Sequence, residues 1–449
     1  MRKHLLAASM LCLVLTNCTK DKIHVETTLD RSLTQALSQA AATNDKSHFI
    51  LPESDDFLAI PQDETYNPLT KEKVELGKLL FYETGLALSP SKNAGQKTYS
   101  CASCHVPSAG FRPGRIQGIA DGGIGFGLNG EKRSKLTAYR EDEMDVQGVR
   151  PLSVLNVAYV ENTTWSGRFG SAGVNIGTED RWALEEELHI NEAGFAALES
   201  QNIEGLEAHR MDITEEVLDG YGYRPYFDAA FSAVDTTERY SRTNAAFAIS
   251  AYLRTLLANE APFQSYLKGE LNAMTEQEKR GALVFFTDAK CFHCHKEKNL
   301  GANDFYALGV KDLYQTGLAF NTSVEDQRNL GRGEYTGREV DLFKFKIPQL
   351  YNLIDAPFYF HGSSKTTLTD VVEYFNKAIP ENANVPTEQI ARQFQPLKLT
   401  PQQVADLTVF LETGLRDANL ERYVPAQVLS GFCFPNNDVF SQLDLGCGE

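Results

Sequence analysis

Two pentads carry the most specific chemistry in this sequence: Cys101-Ala102-Ser103-Cys104-His105 and Cys291-Phe292-His293-Cys294-His295. Two thiols three residues apart can form thioether bonds to both vinyl groups of one haem. The histidine that follows then places an imidazole under the iron as axial ligand. The pattern predicts two covalently bound haem c groups, held by Cys101, Cys104, Cys291 and Cys294, with His105 and His295 on the irons. Zinc needs four converging ligands and does not need a histidine directly after the pair. A thioredoxin-like dithiol needs a βαβ setting that the chain lacks. Both are weaker readings.

The pentads have to be positioned by helices. Gly77-Lys78-Leu79-Leu80-Phe81-Tyr82 resembles Gly281-Ala282-Leu283-Val284-Phe285-Phe286, and each copy precedes a pentad. Thr275-Glu276-Gln277-Glu278 has capping-box form before an apolar run. Thr400-Pro401-Gln402-Gln403 places proline at a first helical position, and Gly414 follows the run. Leu29, Leu33 and Leu37 recur at helical spacing. No series of alternating strands appears. The expected fold is mainly α, with two cytochrome c-like haem domains and long loops. The expected organisation is an export signal over 1–18, a tether with one amphipathic helix over 19–60, haem domains over 61–265 and 266–424, and a tail over 425–449. Gly125-Phe126-Gly127-Leu128-Asn129-Gly130 matches a dinucleotide-binding fingerprint but lacks the strand and helix that should flank it, so it reads as a mobile glycine loop.

Composition narrows the function classes. The 449 residues are 42% hydrophobic and 23% charged, with a formal charge of −17. That apolar fraction excludes a disordered chain, and a mean hydropathy of −0.32 excludes a polytopic membrane protein. The acidic balance argues against nucleic acid, whose phosphates call for clustered Lys and Arg, and favours a basic partner. Arg2 and Lys3 precede an apolar run from Leu5 to Leu15, which reads as an export signal too short to span a bilayer. Leu15-Thr16-Asn17-Cys18 resembles a bacterial lipobox, although Asn17 departs from the usual small residue. The expectation is a periplasmic or cell-envelope protein, lipid-anchored at Cys18. An ordinary cleaved signal and an uncleaved anchor are the alternatives. In an exported chain Cys433 and Cys447 should pair as a disulfide closing the tail.

From Leu76 to Leu415 the sequence resembles the bacterial dihaem cytochrome c peroxidase family, which includes the MauG-type enzymes. The resemblance rests on Leu76–Phe81, the two pentads, Trp165-Ser166-Gly167-Arg168, Gly331-Arg332, the segment Phe345-Lys346-Ile347-Pro348-Gln349-Leu350-Tyr351-Asn352 and the segment Ala356–Gly362. It implies an N-terminal haem that binds hydrogen peroxide and a C-terminal haem that takes electrons from a small cytochrome c-like donor, with Trp165 as the bridge. It also implies a calcium ion near Asn156 and Pro348, and a homodimer. The leading function is therefore a dihaem peroxidase. The alternatives are a MauG-like oxidase acting on a protein residue or organic substrate, and a non-catalytic dihaem electron-transfer protein.

Three departures from the family pattern bear on mechanism. No histidine occurs between Val106 and Tyr159, where many family members carry one that blocks the peroxide haem, so the first haem is expected to have an open sixth position without reductive activation. Gln201 matches the family's distal glutamine, but the distal glutamate falls near His209-Arg210-Met211. His209 is the expected proton carrier there, with Arg210 or Glu207 sharing that role and His189 as a lesser rival. The second ligand of the C-terminal haem, Met or Tyr in the family, falls at Phe375, which cannot ligate iron. Phe375 shares a helical stripe with Leu368, Val371 and Val372, and Tyr374 lies off that stripe. This leaves His361, a methionine, a water or a five-coordinate iron as the options for that haem.

Overall fold

The computed structural model describes residues 26–447, so the leader and Cys18 lie outside the described residues. The chain is mostly helical, with long loops and two short antiparallel ribbons, Gly123–Ile124 with Ser134–Lys135 and Phe305–Tyr306 with Phe345–Lys346. Among the described residues, no helix is long and apolar enough to cross a membrane.

Two helix crossings of the same construction set the frame. Helix Lys71–Tyr82 packs on helix Arg242–Arg254, and helix Glu276–Phe286 packs on helix Pro401–Val409. The repeated glycine sits at each crossing. A Cβ on Gly77 would lie 1.8 Å from the Ala248 carbonyl oxygen, and one on Gly281 would lie 2.0 Å from that of Asp406. Only glycine lets the backbones approach this closely, and this gives the weak sequence repeat its physical meaning. The Thr275 and Thr400 capping boxes form as the sequence predicts, each hydroxyl accepting from the backbone N–H three residues on.

One apolar core runs through both crossings, from Leu33 to Val428. Residues on both sides of the expected 265/266 boundary belong to it, because Ala261, Phe263, Tyr266 and Leu267 are buried. The amphipathic helix expected before residue 60 is present and docked on this core. Helix Thr28–Ala40 buries Leu33 and Leu37, and its Asp30 pairs with Lys279 at 2.8 Å. Gln264 fixes the stretch after it, accepting from Leu51 N and donating to the Phe49 carbonyl.

The tail returns to the first pentad. Cys433 and Cys447 form a disulfide. Ser100 donates to the Pro435 carbonyl at 2.9 Å, and Asn436 donates to the Ser103 hydroxyl at 2.7 Å. The glycine loop, read from sequence as mobile, is held by the same tail. Asp438 accepts from Gly125 N at 2.9 Å, and Asp444 accepts from Phe126 N and Gly127 N. Gly125 and Gly127 have positive φ, which turns these N–H groups into an anion-binding concavity filled by the chain's own carboxylates.

The crossings predict that Gly77→Ala destabilises the protein by about 2–3 kcal/mol, since backbone carbonyl and new methyl cannot share the space. A denaturant titration should show a lower midpoint, and an unchanged midpoint would mean that the helices can separate freely.

Candidate functional site

Both pentads adopt one local structure. Cys101–Ser103 and Cys291–His293 each form a single tight helical turn, and the carbonyls of Cys101 and Cys291 accept from the N–H groups of His105 and His295. The ring orientation is fixed in the same way in each. His105 Nδ1 lies 3.2 Å from the Phe111 carbonyl oxygen, and His295 Nδ1 lies 2.8 Å from that of Leu300. A carbonyl can only accept, so Nδ1 carries the proton and Nε2 presents its lone pair, as an iron ligand must. Burial pushes both imidazoles down to about 4, so they are neutral at pH 7. Burial also pushes the thiols of Cys101, Cys104 and Cys291 up to about 12. The pentad cysteines are not paired with one another. Among the described residues no three His, Cys, Asp or Glu side chains converge on a point, which leaves the zinc reading without a ligand set.

A cavity of about 400 Å³ opens beside the first pentad. Cys101, Cys104 and His105 line it, as do Trp165, Gln201 and His209, so six of the nine residues singled out from sequence meet there. Cys291, Cys294 and His295 are not brought into it. Its walls include Phe81, Leu155 and Leu253. Several buried polar atoms on or near the lining have no hydrogen-bond partner, among them Lys346 Nζ, Arg150 Nε and Tyr159 OH. Burial, with Arg332 close by, pushes the Lys346 ammonium down to about 7, and burial beside Arg112 pushes Arg150 down to about 9. Buried cations of this kind call for an anion. Thiols at the edge, an aimed imidazole, apolar walls and cations for two carboxylates together fit haem c.

The distal wall is one helix, Ala197–Ala208. Gln201, Gly205 and His209 follow one another at four-residue spacing and all line the cavity, with His209 capping the helix end. His209 Nδ1 lies 2.6 Å from Asp145 Oδ2, and Asp145 raises the histidine's pKa above the ordinary value, against the opposing effects of burial and Arg210. The rivals lie elsewhere. Arg210 pairs with Asp121 at 2.9 Å, Glu207 is exposed and pairs with Arg242, and His189 is exposed. Asp145 and Lys346 were not singled out from sequence as site residues. Asp145 left no signal, being far from His209 along the chain, whereas Lys346 sits inside a segment already noted.

Trp165 stands where the cavity meets residues of the C-terminal half. Its Nε1 donates to the Arg150 carbonyl at 2.6 Å, and its ring centroid lies 6.1 Å from that of His361 and 6.4 Å from that of Phe345. The Phe345 and His361 rings stack at 3.5 Å. His361 Nε2 is 3.1 Å from Asp312 Oδ1, so that nitrogen is already occupied by a carboxylate. The stripe around Phe375 differs from expectation. Leu368 and Val372 are buried, but Phe375 is half-buried and Tyr374 is the deeper of the pair. Tyr374 is drawn in by Phe394 and by donating to the Leu308 carbonyl at 2.7 Å. At the expected calcium position, Asn156 commits its side-chain oxygen to Ala258 N at 2.9 Å.

Comparison with known proteins bears on family and fold. The profile of the di-haem cytochrome c peroxidase family matches residues 71–272. The methylamine utilization protein MauG of Methylorubrum extorquens is 28% identical over 372 residues, covering 82% of this chain and 83% of that protein. Cytochrome-c peroxidase IdrP1 of a Pseudomonas species is 27% identical over 393 residues, covering 83% and 87%. A solved MauG-like protein associated with microbial copper homeostasis superposes with a TM-score of 0.56 at 24% identity, covering 82% of this chain and 95% of that one, a likeness of fold.

The cavity chemistry yields a prediction for Lys346→Met. Covalent haem content should be unchanged, while the midpoint potential of the haem at Cys101 and Cys104 falls, because a cation favouring the reduced state is removed. Spectroelectrochemical titration reads this directly. An unchanged potential would mean that Nζ faces no haem carboxylate.

Proposed function

This chain belongs to the dihaem cytochrome c peroxidase and MauG family, and from that premise we propose that it is an exported dihaem peroxidase. It reduces hydrogen peroxide to water with electrons from a small cytochrome c-like donor. The observation that carries this reading is the distal wall, where Gln201 and a carboxylate-paired His209 share the cavity with His105. In this reading residues 61–265 form the peroxide-reacting unit and 266–424 the electron-accepting unit, each with one haem c. The acidic surface receives a basic donor, and Cys18 tethers the protein to the envelope.

A haem held by Cys101, Cys104 and His105 would supply the iron site for peroxide and the redox equivalents for its reduction. The chain's own residues move the protons. Neutral His209 takes a proton from the nearer peroxide oxygen at Nε2 and returns it to the farther oxygen, which leaves as water with the O–O bonding pair. The second oxygen atom becomes water with two electrons from the donor and two protons from solvent. The sum is H2O2 + 2 H+ + 2 e− → 2 H2O. Gln201, about two turns earlier on the same face of the helix, orients the peroxide. Trp165, against Phe345, carries electrons between the halves. A second reading, a MauG-like oxidase acting on a protein residue or organic substrate, is favoured by the absence of a blocking histidine between Val106 and Tyr159, while Phe375 counts against it.

Peroxide turnover with reduced cytochrome c tests the proposal. His209→Ala should lower kcat/KM by about 10²–10³-fold. The histidine must be neutral to accept a proton. Because Asp145 raises its pKa, activity should fall as pH drops through a value above the ordinary histidine range of about 6.5. Absent turnover, or a pH profile flat through that range, would contradict the reading.

A further inference from the structure

The loop that lacks a histidine is not chemically silent. Its two ends are bridged at Ile119 and Val146, with Ala120 N donating to the Asp145 carbonyl and Asp145 N to the Asp121 carbonyl, both at 3.0 Å. This pairing sets two buried carboxylates side by side, and they face two consecutive residues at the end of the distal helix. Asp145, its side chain 9% exposed, meets His209 Nδ1. Asp121, its side chain fully buried, takes Arg210 Nη2 at 2.9 Å, the Tyr139 hydroxyl at 2.6 Å and Ser91 N at 2.6 Å. Tyr99 donates to the His209 carbonyl at 2.8 Å, and Arg210 turns the backbone away at φ 54°. The backbone and one nitrogen of His209 are therefore fixed from three directions, and among the described residues nothing bonds its Nε2.

We propose that Asp145 is the positioning residue of the distal base. By accepting the Nδ1 proton of His209 it fixes the tautomer whose Nε2 lone pair receives the substrate's proton in the cavity beside His105. The inference deepens the peroxidase reading and rests on it for the substrate. A carboxylate does this better than an amide, for two reasons. An asparagine can donate as readily as accept at that position, which would present the wrong tautomer, and it lacks the charge that stabilises the imidazolium formed on proton uptake. Arg210, next in the chain, and burial both oppose a positive ring on His209, while the other imidazole lining the cavity, His105, is neutral. Asp145 is the group that offsets them.

Cyanide association with the ferric holoprotein tests this without relying on the physiological oxidant. At pH 7 the ligand arrives as HCN and must give its proton to a base before it binds as the anion. Asp145→Asn should slow association by about tenfold or more, and His209→Ala by about 100-fold. The double variant should be no slower than His209→Ala alone, because Asp145 acts through His209. Asp145→Glu, which keeps the charge, should recover part of the rate and shows that the segment folds with a changed side chain. Multiplying losses in the double variant, or an unaltered rate in Asp145→Asn, would overturn the proposal. So would faster cyanide binding in His209→Ala with a change from low to high spin, since His209 would then be an iron ligand. If the cyanide pattern holds while wild-type protein turns over no peroxide with reduced cytochrome c, the pairing stands and the peroxidase reading fails.

Discussion

Everything at the first site depends on one hydrogen bond, from His105 Nδ1–H to the carbonyl of Phe111. It selects the tautomer, aims Nε2 and stops the ring from turning away. The bond exists because the chain doubles back directly after the pentad. Phe111 takes a left-handed conformation with φ 56°, and its N–H returns to the Val106 carbonyl at 2.8 Å. The next residue locks that turn to the C-terminal half, as Arg112 donates to the carbonyls of Tyr351 and Asn352. The second pentad repeats the solution with Leu300, also left-handed at φ 53°. A close helix crossing at Gly77 or Gly281 then holds each pentad's preceding helix in place.

Charge is distributed with a purpose in this acidic chain. The surface excess is negative, yet Arg112, Arg150 and Lys346 are buried around the cavity. Isolated buried cations are unfavourable in a low-dielectric interior unless an anion accompanies them. A cofactor with two carboxylates meets that requirement and binds more firmly for it. On the distal side the order reverses, and buried Asp121 and Asp145 hold Arg210 and His209. The cavity thus has a cationic region able to meet a cofactor's acid groups and, apart from it, an imidazole backed by a carboxylate.

The two pentads were legible in the residues, as were the caps at Thr275 and Thr400, because each depends on neighbours within a few positions. Gln201 and His209 were picked out through the family pattern, and the structure sets them on one face of helix Ala197–Ala208. Asp145 was not, since its role arises only when a loop end folds back 64 residues from His209 in sequence. The glycine loop was misread as mobile for a similar reason. The carboxylates that hold it, Asp438 and Asp444, come from a tail more than 300 residues away. Tyr374 went deeper than helical periodicity predicted because Phe394 and the Leu308 carbonyl, neither on its own helix, draw it in. The expected boundary at 265/266 falls among residues that the shared core buries, Phe263, Tyr266 and Leu267 among them.

The central claim is that the first haem site is open on its His209 side, with that histidine held back by Asp145 as a base. Low-temperature EPR of the oxidised, as-isolated holoprotein tests it most directly. The account predicts a high-spin ferric signal from the haem at Cys101 and Cys104 before any reduction. Two low-spin, six-coordinate ferric signals and no high-spin component would contradict it.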